Sequence, residues 1–370
     1  MANKTKKLLA ILLAVMLVAA AALPAFTASP FNDDAYASIL TGSDFQDLGT
    51  AAYDRFGRFL KVMKSDGLET PDSMLVGGDY TKILFDYAVP GEAQIKDQLA
   101  AVYPDADTER VVCIQGNHDN PSSGFTKTGF YDMGVYCLYV INEDDFPWLQ
   151  GYRPGVGECI KKLAADLESK LGGMIEAGDM RPVIVMTHLP LHHTDRAQYM
   201  DNLYASYLFG VLNEAGRTLD IVFLFGHQHS GDYDDYIGGS VNFMAPGETI
   251  RVPKADAAGE NAYTNETLTF TYTNYGYTGY SDNHETETST NALTLGVVRF
   301  SDQKIRIVKY TENGVFRAND VERKNPGAGR ENAAGDRPSK LSERFWQAEA
   351  KVFRWFFDLF KRIASLFSFR

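Results

Sequence analysis

The sequence predicts a layered α/β fold, a β-sandwich flanked by helices, followed by a C-terminal amphipathic helix. The 370 residues are 45% hydrophobic, which is enough apolar material for a full core. Short apolar runs alternate with amphipathic stretches as far as Phe225, a pattern typical of strands and helices packed in layers. From Ser240 onward, alternating β-branched and aromatic residues predict antiparallel strands.

The first predicted element is an export signal within residues 1–37. A basic head precedes an apolar run that starts at Leu8, which is typical of secretory signals. Ala35 and Ala37 offer a cleavage site. The alternative is an uncleaved anchor, because residues 8–26 are nearly long enough to span a bilayer. Both alternatives predict an exported protein, either extracellular or in the cell envelope.

Strands and helices then alternate through a predicted domain at residues 38–317. The predicted strands are residues 39–43, 73–76, 110–115, 135–141, 183–187 and 221–225. The predicted helices between them are residues 51–64, 93–102, 158–177 and 197–215. Further along, "ALTLGVVRF" and "KIRIVKY" predict two more strands.

The C-terminal part of the chain has a different character. Residues 318–340 are polar and rich in Gly and Ala, which predicts a flexible linker. In residues 341–370, aromatic residues such as Trp346, Phe353 and Phe357 recur at helical spacing opposite a net basic face. This amphipathic helix either lies on a membrane surface or docks on its own domain or a second copy. The bulky aromatic face and the long linker favour the membrane surface.

Charge and cysteine content narrow the functional classes. The net charge of −12 argues against a nucleic-acid surface, because neutralising phosphates requires a basic face. The three cysteines are too few for a disulfide framework, and their odd number leaves at least one thiol unpaired within the chain. A bridge between Cys137 and Cys159 remains open, since export permits disulfides.

Polar side chains that can bind a metal follow five of the predicted strands. They occur in the stretches "SDFQ", "GGDY", "GNHD", "THLP" and "GHQH", and comprise Asp44, Gln46, Asp79, Asn117, His118, His188, His227 and His229. Ligands of α/β sheets bind beyond the carboxyl ends of the strands, so these groups are expected to converge. The pattern therefore predicts a metal centre at this edge of the fold.

The five motifs resemble the signature of the calcineurin-like metallophosphoesterase superfamily: D-x-H, G-D-x-x-D, G-N-H-D/E, a lone H and G-H-x-H. The resemblance covers roughly residues 38–310, and its strength is that all five motifs occur in order. It implies the metallophosphoesterase fold and the hydrolysis of phosphoric mono- or diesters. It also implies a two-metal site with a bridging hydroxide, which suits an in-line displacement at phosphorus.

The resemblance also implies a role for each motif residue. Asp79 would bridge the two metals, and His118 would protonate the leaving oxygen or stabilise the transition state. The implied ligands are Asp44 and His229 for the first metal, with Gln46 as a further candidate, and Asn117, His188 and His227 for the second.

Several positions leave alternatives open. Gln46 replaces the usual histidine, and is either an oxygen ligand that favours Mn or Fe over Zn or the sign of a site partly lost. Lys82 replaces the last Asp of G-D-x-x-D, and either contacts substrate phosphate or is solvated. His192 and His193 either line the substrate pocket or are exposed. Asp119 is expected to cap a helix or accept hydrogen bonds behind the ligands.

Two functions follow from these patterns. The favoured one is an exported, metal-dependent phosphoesterase whose partners are a phosphate-ester substrate and, through residues 341–370, a membrane surface. The alternative is a metal-binding envelope protein whose catalysis has decayed, as Gln46 and Lys82 suggest. The presence of Asn117 and His118 favours the enzyme.

Overall fold

The protein is described here from a computed structural model. The residues that the structure describes are 29–31, 33–45, 51–80, 91–119, 124–142, 156–192, 205–227, 243–254, 263–279 and 293–333. The chain divides into two compact units, Met1–Glu331 and Asn332–Arg370. Of the second unit the structure describes Asn332 and Ala333, so the predicted helix at 341–370 lies outside the described residues.

Strands and helices alternate through the first unit, as the sequence predicts. The strands are β1 (Ala37–Gly42), β2 (Ser73–Val76), β3 (Val111–Cys113), β4 (Gly129–Asp132), β5 (Cys137–Val140), β6 (Val183–Met186), β7 (Ile221–Phe225), β8 (Thr249–Pro253), β9 (Tyr263–Thr267), β10 (Thr271–Asn274), β11 (Leu295–Phe300), β12 (Lys304–Thr311) and β13 (Gly314–Glu322). The α-helices are α1 (Ala51–Ser65), α2 (Gly91–Val102), α3 (Val156–Ala177) and α4 (Ala205–Ala215). Short 3₁₀ helices occupy Thr108–Arg110 and Arg330–Asn332.

The described strands form two large sheets and a hairpin. The first sheet has the order β13-β12-β11-β1-β2-β3, the second has the order β10-β7-β6-β5-β4, and β8 pairs with β9. Strands β1, β2 and β3 are parallel, and so are β5, β6, β7 and β10. The carboxyl ends of parallel strands share one edge of their sheet, and this brings the polar motifs that follow them together.

Helices cover the outer faces of both sheets, and the inner faces pack against each other. α1 and α2 share one apolar cluster with the first sheet, whereas α3 and α4 share another with the second. Alternation along β1 places Leu40 in the first cluster and buries Ile39 on the opposite face. Between the sheets, the Tyr136 ring lies 5.9 Å from the Phe300 ring, and its hydroxyl lies 2.8 Å from Ser73 Oγ. The predicted helix-flanked β-sandwich is confirmed.

Strand β10 corrects one prediction about the second half of the chain. It runs parallel to β7, whereas the alternating pattern after Ser240 predicts antiparallel strands. The Tyr272 ring packs 4.6 Å from the Phe225 ring, and both side chains belong to the second apolar cluster. Alternation of residue types along a strand indicates which face each side chain occupies, but it does not indicate the direction of the neighbouring strand. The sequence pattern therefore could not distinguish parallel from antiparallel pairing.

The predicted linker at residues 318–340 is wrong over its first part. Strand β13 continues to Glu322, and Arg323 Nε then lies 3.1 Å from Asp220 Oδ2, with both side chains buried. Arg323 also donates to Tyr36 Oη and to the carbonyl oxygens of Ser301 and Ala328. This segment is polar because it contains an edge strand and charged residues that form ion pairs. From sequence alone, such a composition cannot be told from that of a linker.

The predicted N-terminal boundary at residue 37 is too late, because the fold begins earlier. Phe31 is 6% exposed and stacks on Tyr310 with ring centroids 5.5 Å apart. Asp33 accepts a hydrogen bond from Arg299 Nε at 2.9 Å. Cleavage after Ala37 would remove both contacts. None of the helices in the described part of the chain combines the length and apolar character needed to cross a bilayer.

The cysteines are free thiols, so the Cys137–Cys159 bridge does not form. Cys137 belongs to the buried strand β5, and burial raises the pKa of its thiol to about 12. This thiol is therefore protonated and unreactive at neutral pH.

Replacing Phe31 with Ala is expected to lower the free energy of unfolding by about 3 kcal/mol, because it removes a buried ring from the first core. Chemical denaturation of the full chain measures the effect. Val315→Ala is the matched control, since Val315 is 41% exposed and its change is expected to cost less than about 0.5 kcal/mol. Equal stability of the two variants would show that the segment before β1 does not belong to the core.

Candidate metal centre

The described ligand candidates meet where the parallel strands of both sheets end. Asp44 follows β1 and Asp79 follows β2 in the first sheet, while His188 follows β6 and His227 follows β7 in the second. Asp79, His188 and His227 each offer a ligand atom, and these atoms lie within 4.8 Å of one another. The crevice between the two sheets therefore gathers side chains from both of them.

Asn117 joins this cluster through its side-chain oxygen. Asn117 Oδ1 lies 2.9 Å from His188 Nε2 and 2.7 Å from His227 Nδ1, and His188 Nε2 lies 3.4 Å from Asp79 Oδ2. Nitrogen and oxygen ligands about 2.1 Å from one cation lie about 3 Å from each other. The spacing of these four side chains thus fits a shared metal ion.

The orientation of His188 supports the same conclusion. Its Nδ1 lies 2.7 Å from the carbonyl oxygen of Gly77, which can only accept, so Nδ1 is the donor. In a neutral imidazole, Nε2 then carries a lone pair and faces the oxygens of Asp79 and Asn117. A cation would stabilise these three atoms, because each of them turns a lone pair toward the others inside the protein. A histidine that binds a metal commonly donates its other ring N–H to a backbone carbonyl, as His188 does here.

Asp44 lies next to this cluster and is tied to it through the backbone. Its carboxylate accepts the backbone N–H of His227 at 3.1 Å, and its own N–H donates to the carbonyl oxygen of Gly78 at 2.9 Å. The side chain is 1% exposed. Asp44 therefore adds a buried, hydrogen-bonded carboxylate next to the other candidate ligands.

Three of the candidate ligands have a left-handed backbone. The φ angles are 55° at Asp44, 57° at Asp79 and 61° at His227, and within the described residues these are the positive φ values outside glycine. Such conformations are uncommon for residues with a Cβ and persist only where the surroundings impose them. Such conformations cluster at functional sites, so their occurrence at three candidate ligands supports a candidate site at the carboxyl ends of β1, β2 and β7.

His118 is held against Asp79 by its backbone. Its N–H donates to Asp79 Oδ1 at 2.8 Å, and its ring Nδ1 is buried without a hydrogen-bond partner. Burial acts to raise the pKa of Asp79. A positive charge on the facing His188 ring, when that ring is protonated, and the N–H of His118 hold that pKa well below its ordinary value. Asp79 is therefore a charged carboxylate at neutral pH.

Asp119 accepts hydrogen bonds behind the ligands, as predicted. Its carboxylate receives the backbone N–H groups of Asp79 at 2.7 Å, Tyr80 at 2.8 Å and Gly116 at 2.8 Å. It thereby joins the loop after β2 to the loop that carries Asn117. Burial, followed by the negative charge of Asp79, raises the pKa of Asp119 to about 7 against the pull of these N–H groups.

The remaining predicted site residues divide into two groups. His192 is fully buried, with Nδ1 2.7 Å from Tyr272 Oη and its ring 5.5 Å from the Phe225 ring. The exposed position is therefore wrong for His192, and a place in the wall of the substrate pocket stays a prediction. Gln46, Lys82, His193 and His229 lie outside the described residues.

One residue at this edge escapes the sequence argument. Asn142 comes two residues after the end of β5, is fully buried, and accepts a hydrogen bond from the N–H of Gln115 at 2.9 Å. The same signal that singles out the other candidates, a polar residue directly after an apolar strand, is present here too. Its amide is simply a weaker metal ligand than a carboxylate or imidazole.

Gly226→Ala is expected to weaken metal binding by at least about tenfold, through displacement of the groups that surround this glycine. An added Cβ would lie 2.3 Å from Ser43 Oγ, 2.9 Å from Asp44 Oδ2 and 3.1 Å from His188 Nδ1. Calorimetric titration with Mn²⁺ measures the effect. Gly210→Ala in α4 is the matched control, since its Cβ meets no atom within 4 Å. Equal affinities in the two variants would contradict this packing argument.

Fold and site together define a two-sheet α/β protein with a candidate metal-binding cluster where strands of the two sheets end. The chain belongs to the calcineurin-like phosphoesterase family, whose family model matches residues 38–231, more than half of the sequence. Members of this family use dinuclear metal centres. The donor set of Asp79, Asn117, His188 and His227 fits such a centre.

Several solved structures resemble the chain in fold. A dimetal phosphatase from Danio rerio is 9% identical, with a TM-score of 0.46 and coverage of 79% of this chain and 100% of that one. GAP50, the anchor in the inner membrane complex of Plasmodium, is 11% identical with a TM-score of 0.43, over 81% and 95%. Vps29 from Chaetomium thermophilum is 12% identical with a TM-score of 0.32, over 78% and 100%. No curated protein sequence matches the chain.

Proposed function

We propose that the protein is an exported, metal-dependent phosphoric ester hydrolase with a two-metal centre. The observation that carries the proposal is the convergence of Asp79, Asn117, His188 and His227, whose ligand atoms face one another at 2.7 to 3.4 Å. These four side chains would hold one cation. Asp44, together with Gln46 and His229 from the sequence pattern, would hold the other, with Asp79 shared between them.

When bound, the two cations would neutralise phosphoryl oxygens and make a water molecule acidic enough to act as the nucleophile near neutral pH. The side chains supply the rest of the chemistry. Asp79 and Asp44 bring buried negative charge that attracts cations into the crevice. His118, fixed by its N–H to Asp79, presents a ring that can give a proton to the leaving oxygen.

The substrate class is a phosphoric mono- or diester. The net charge of −12 disfavours long nucleic acids, which need a basic surface. Oxygen donors at the first metal, Asp44 and Gln46, favour Mn or Fe, with Zn as the further candidate.

The N-terminal segment, a basic head followed by an apolar run, supports export, and the amphipathic segment 341–370 supports a membrane partner. Liposome co-sedimentation with and without residues 341–370 tests that partner, and equal sedimentation would exclude it.

His118→Ala is expected to lower kcat by about 100-fold to 10,000-fold while leaving metal content unchanged. The experiment strips the full chain of metal, reloads it separately with Mn²⁺, Fe, Zn²⁺ or Mg²⁺, and follows hydrolysis of nitrophenyl mono- and diesters. The relative rates on the two esters assign the substrate class. If the reloaded wild type binds metal yet hydrolyses neither ester faster than the metal-free protein, the alternative of a metal-binding envelope protein without catalysis is favoured instead.

A further inference from the structure

Asn142 occupies a position in the second sheet that corresponds to that of His188. Val140 and Met186 are paired residues of β5 and β6, and Asn142 and His188 each come two residues after this pair. The N–H of Ile141 donates to the carbonyl oxygen of Met186 at 2.9 Å, so the two chains stay adjacent beyond the strands. Because side chains alternate along a strand, Asn142 shares the inner face with Val140 and lies at the crevice.

The side-chain oxygen of Asn142 is used to hold the neighbouring sheet. Asn142 Oδ1 accepts the N–H of Gln115 at 2.9 Å, and Gln115 directly precedes the loop that carries Asn117 and His118. The Gln115 side chain donates in turn to the carbonyl oxygen of Asp119 at 3.1 Å. A continuous set of hydrogen bonds therefore runs from the end of β5 into the loop that carries two candidate site residues.

The other end of the amide lacks a partner in the described part of the chain. Asn142 is fully buried, and its Nδ2 makes no hydrogen bond there. A buried, unpaired donor costs stability, and a leucine of similar volume would avoid that cost. The hydrogen bond to Gln115 is thus the contact that accounts for an amide at this position.

The geometry points to Asn142 as a positioning residue of the metal centre, acting through Gln115 on Asn117 and His118. This inference rests on the proposed function, because it assigns the residue to that same site. Asn117 Oδ1 lies within 3 Å of both His188 and His227, so a small shift of its loop changes the ligand spacing. Loss of such a supporting contact typically costs about tenfold to 100-fold in metal affinity or activity.

Three variants of the full chain test the assignment. Asn142→Leu removes the acceptor, and Asn142→Asp keeps an oxygen for the Gln115 N–H. Thr187→Val is the matched control, because Thr187 is fully buried one strand away and its hydroxyl makes no hydrogen bond. The readouts are Mn²⁺ affinity by titration calorimetry of metal-free protein, and hydrogen exchange of the peptide that contains Gln115.

The Asn142→Leu variant is expected to bind Mn²⁺ about tenfold to 100-fold more weakly than the wild type. Its Gln115 amide hydrogen is expected to exchange faster, with both measurements made well below the unfolding temperature of the variant. Asn142→Asp and Thr187→Val are expected to bind no more weakly than the wild type. Wild-type affinity in Asn142→Leu, or equal loss in Asn142→Asp, would overturn the assignment. Both readouts are independent of turnover, so a wild type that binds metal without hydrolysing esters would contradict the proposed function and leave this test intact.

Discussion

Replacing Asp79 with Asn is expected to lower kcat/KM for a phosphate ester by at least about 100-fold and to remove most bound metal. Loss of a partner that merely supports a metal ligand already costs about tenfold to 100-fold, and Asp79 faces the other ligands directly. Asn keeps the shape of the side chain and loses its charge. Its NH₂ group would also turn toward His188 Nε2 or the His118 N–H, where Asp79 now offers oxygens.

The control for this variant is Asp132→Asn, which makes the same chemical change at an exposed carboxylate beside Arg181. Steady-state kinetics and metal analysis are compared for the two proteins. Asp132→Asn is expected to behave as the wild type, because its side chain is 65% exposed and remote from the motif residues in the fold. An Asp79→Asn variant that retains both metal and activity would refute the assigned site.

Replacing Arg323 with Met is expected to cost about 3 to 5 kcal/mol of unfolding free energy, the largest stability effect foreseen here. The guanidinium and its partner Asp220 are 0% and 2% exposed. Without Arg323, the buried carboxylate of Asp220 loses its direct ion pair and keeps the N–H groups of Lys324 and Asn325. Urea denaturation measures the loss, and the folded variant is expected to keep wild-type kcat, because Asp220 precedes β7 at the edge opposite the site.

Arg330→Met is the matched control, since Arg330 pairs with Asp302 at the surface, where the two side chains are 58% and 36% exposed. Exposed ion pairs contribute about 0 to 1 kcal/mol. Equal midpoints for Arg323→Met and Arg330→Met would show that the segment after β13 does not hold the sheets together.

The strand-end motifs could be predicted because two independent signals coincide there. Apolar runs mark buried parallel strands, and residues such as Asp79 or His188 are rare directly after them unless they bind something. Directions and distant partners are harder to predict. A strand such as β10 shows the same alternation of residue types whether it pairs in parallel or antiparallel. The burial of Arg323 depends on Asp220, which lies about a hundred residues away in the sequence.

Local conformation also escaped the sequence argument. The left-handed backbone of Asp44 and Asp79 is imposed by contacts with loops distant in sequence, such as the Asp119 carboxylate on the N–H of Asp79. His192 follows a site histidine by four residues and still lies in the core, because its neighbours Leu189 and Leu191 turn the chain inward.

The central claim, that the carboxyl ends of β1, β2, β3, β6 and β7 hold a two-metal centre, is tested most directly by elemental analysis of the purified, reconstituted chain. Metal-free protein is loaded with Mn²⁺, freed of excess metal by gel filtration, and assayed for metal per chain. We expect two equivalents for the wild type and a clear loss in Asp79→Asn. A folded wild type that retains no metal, or an Asp79→Asn variant that retains as much as the wild type, would contradict the claim.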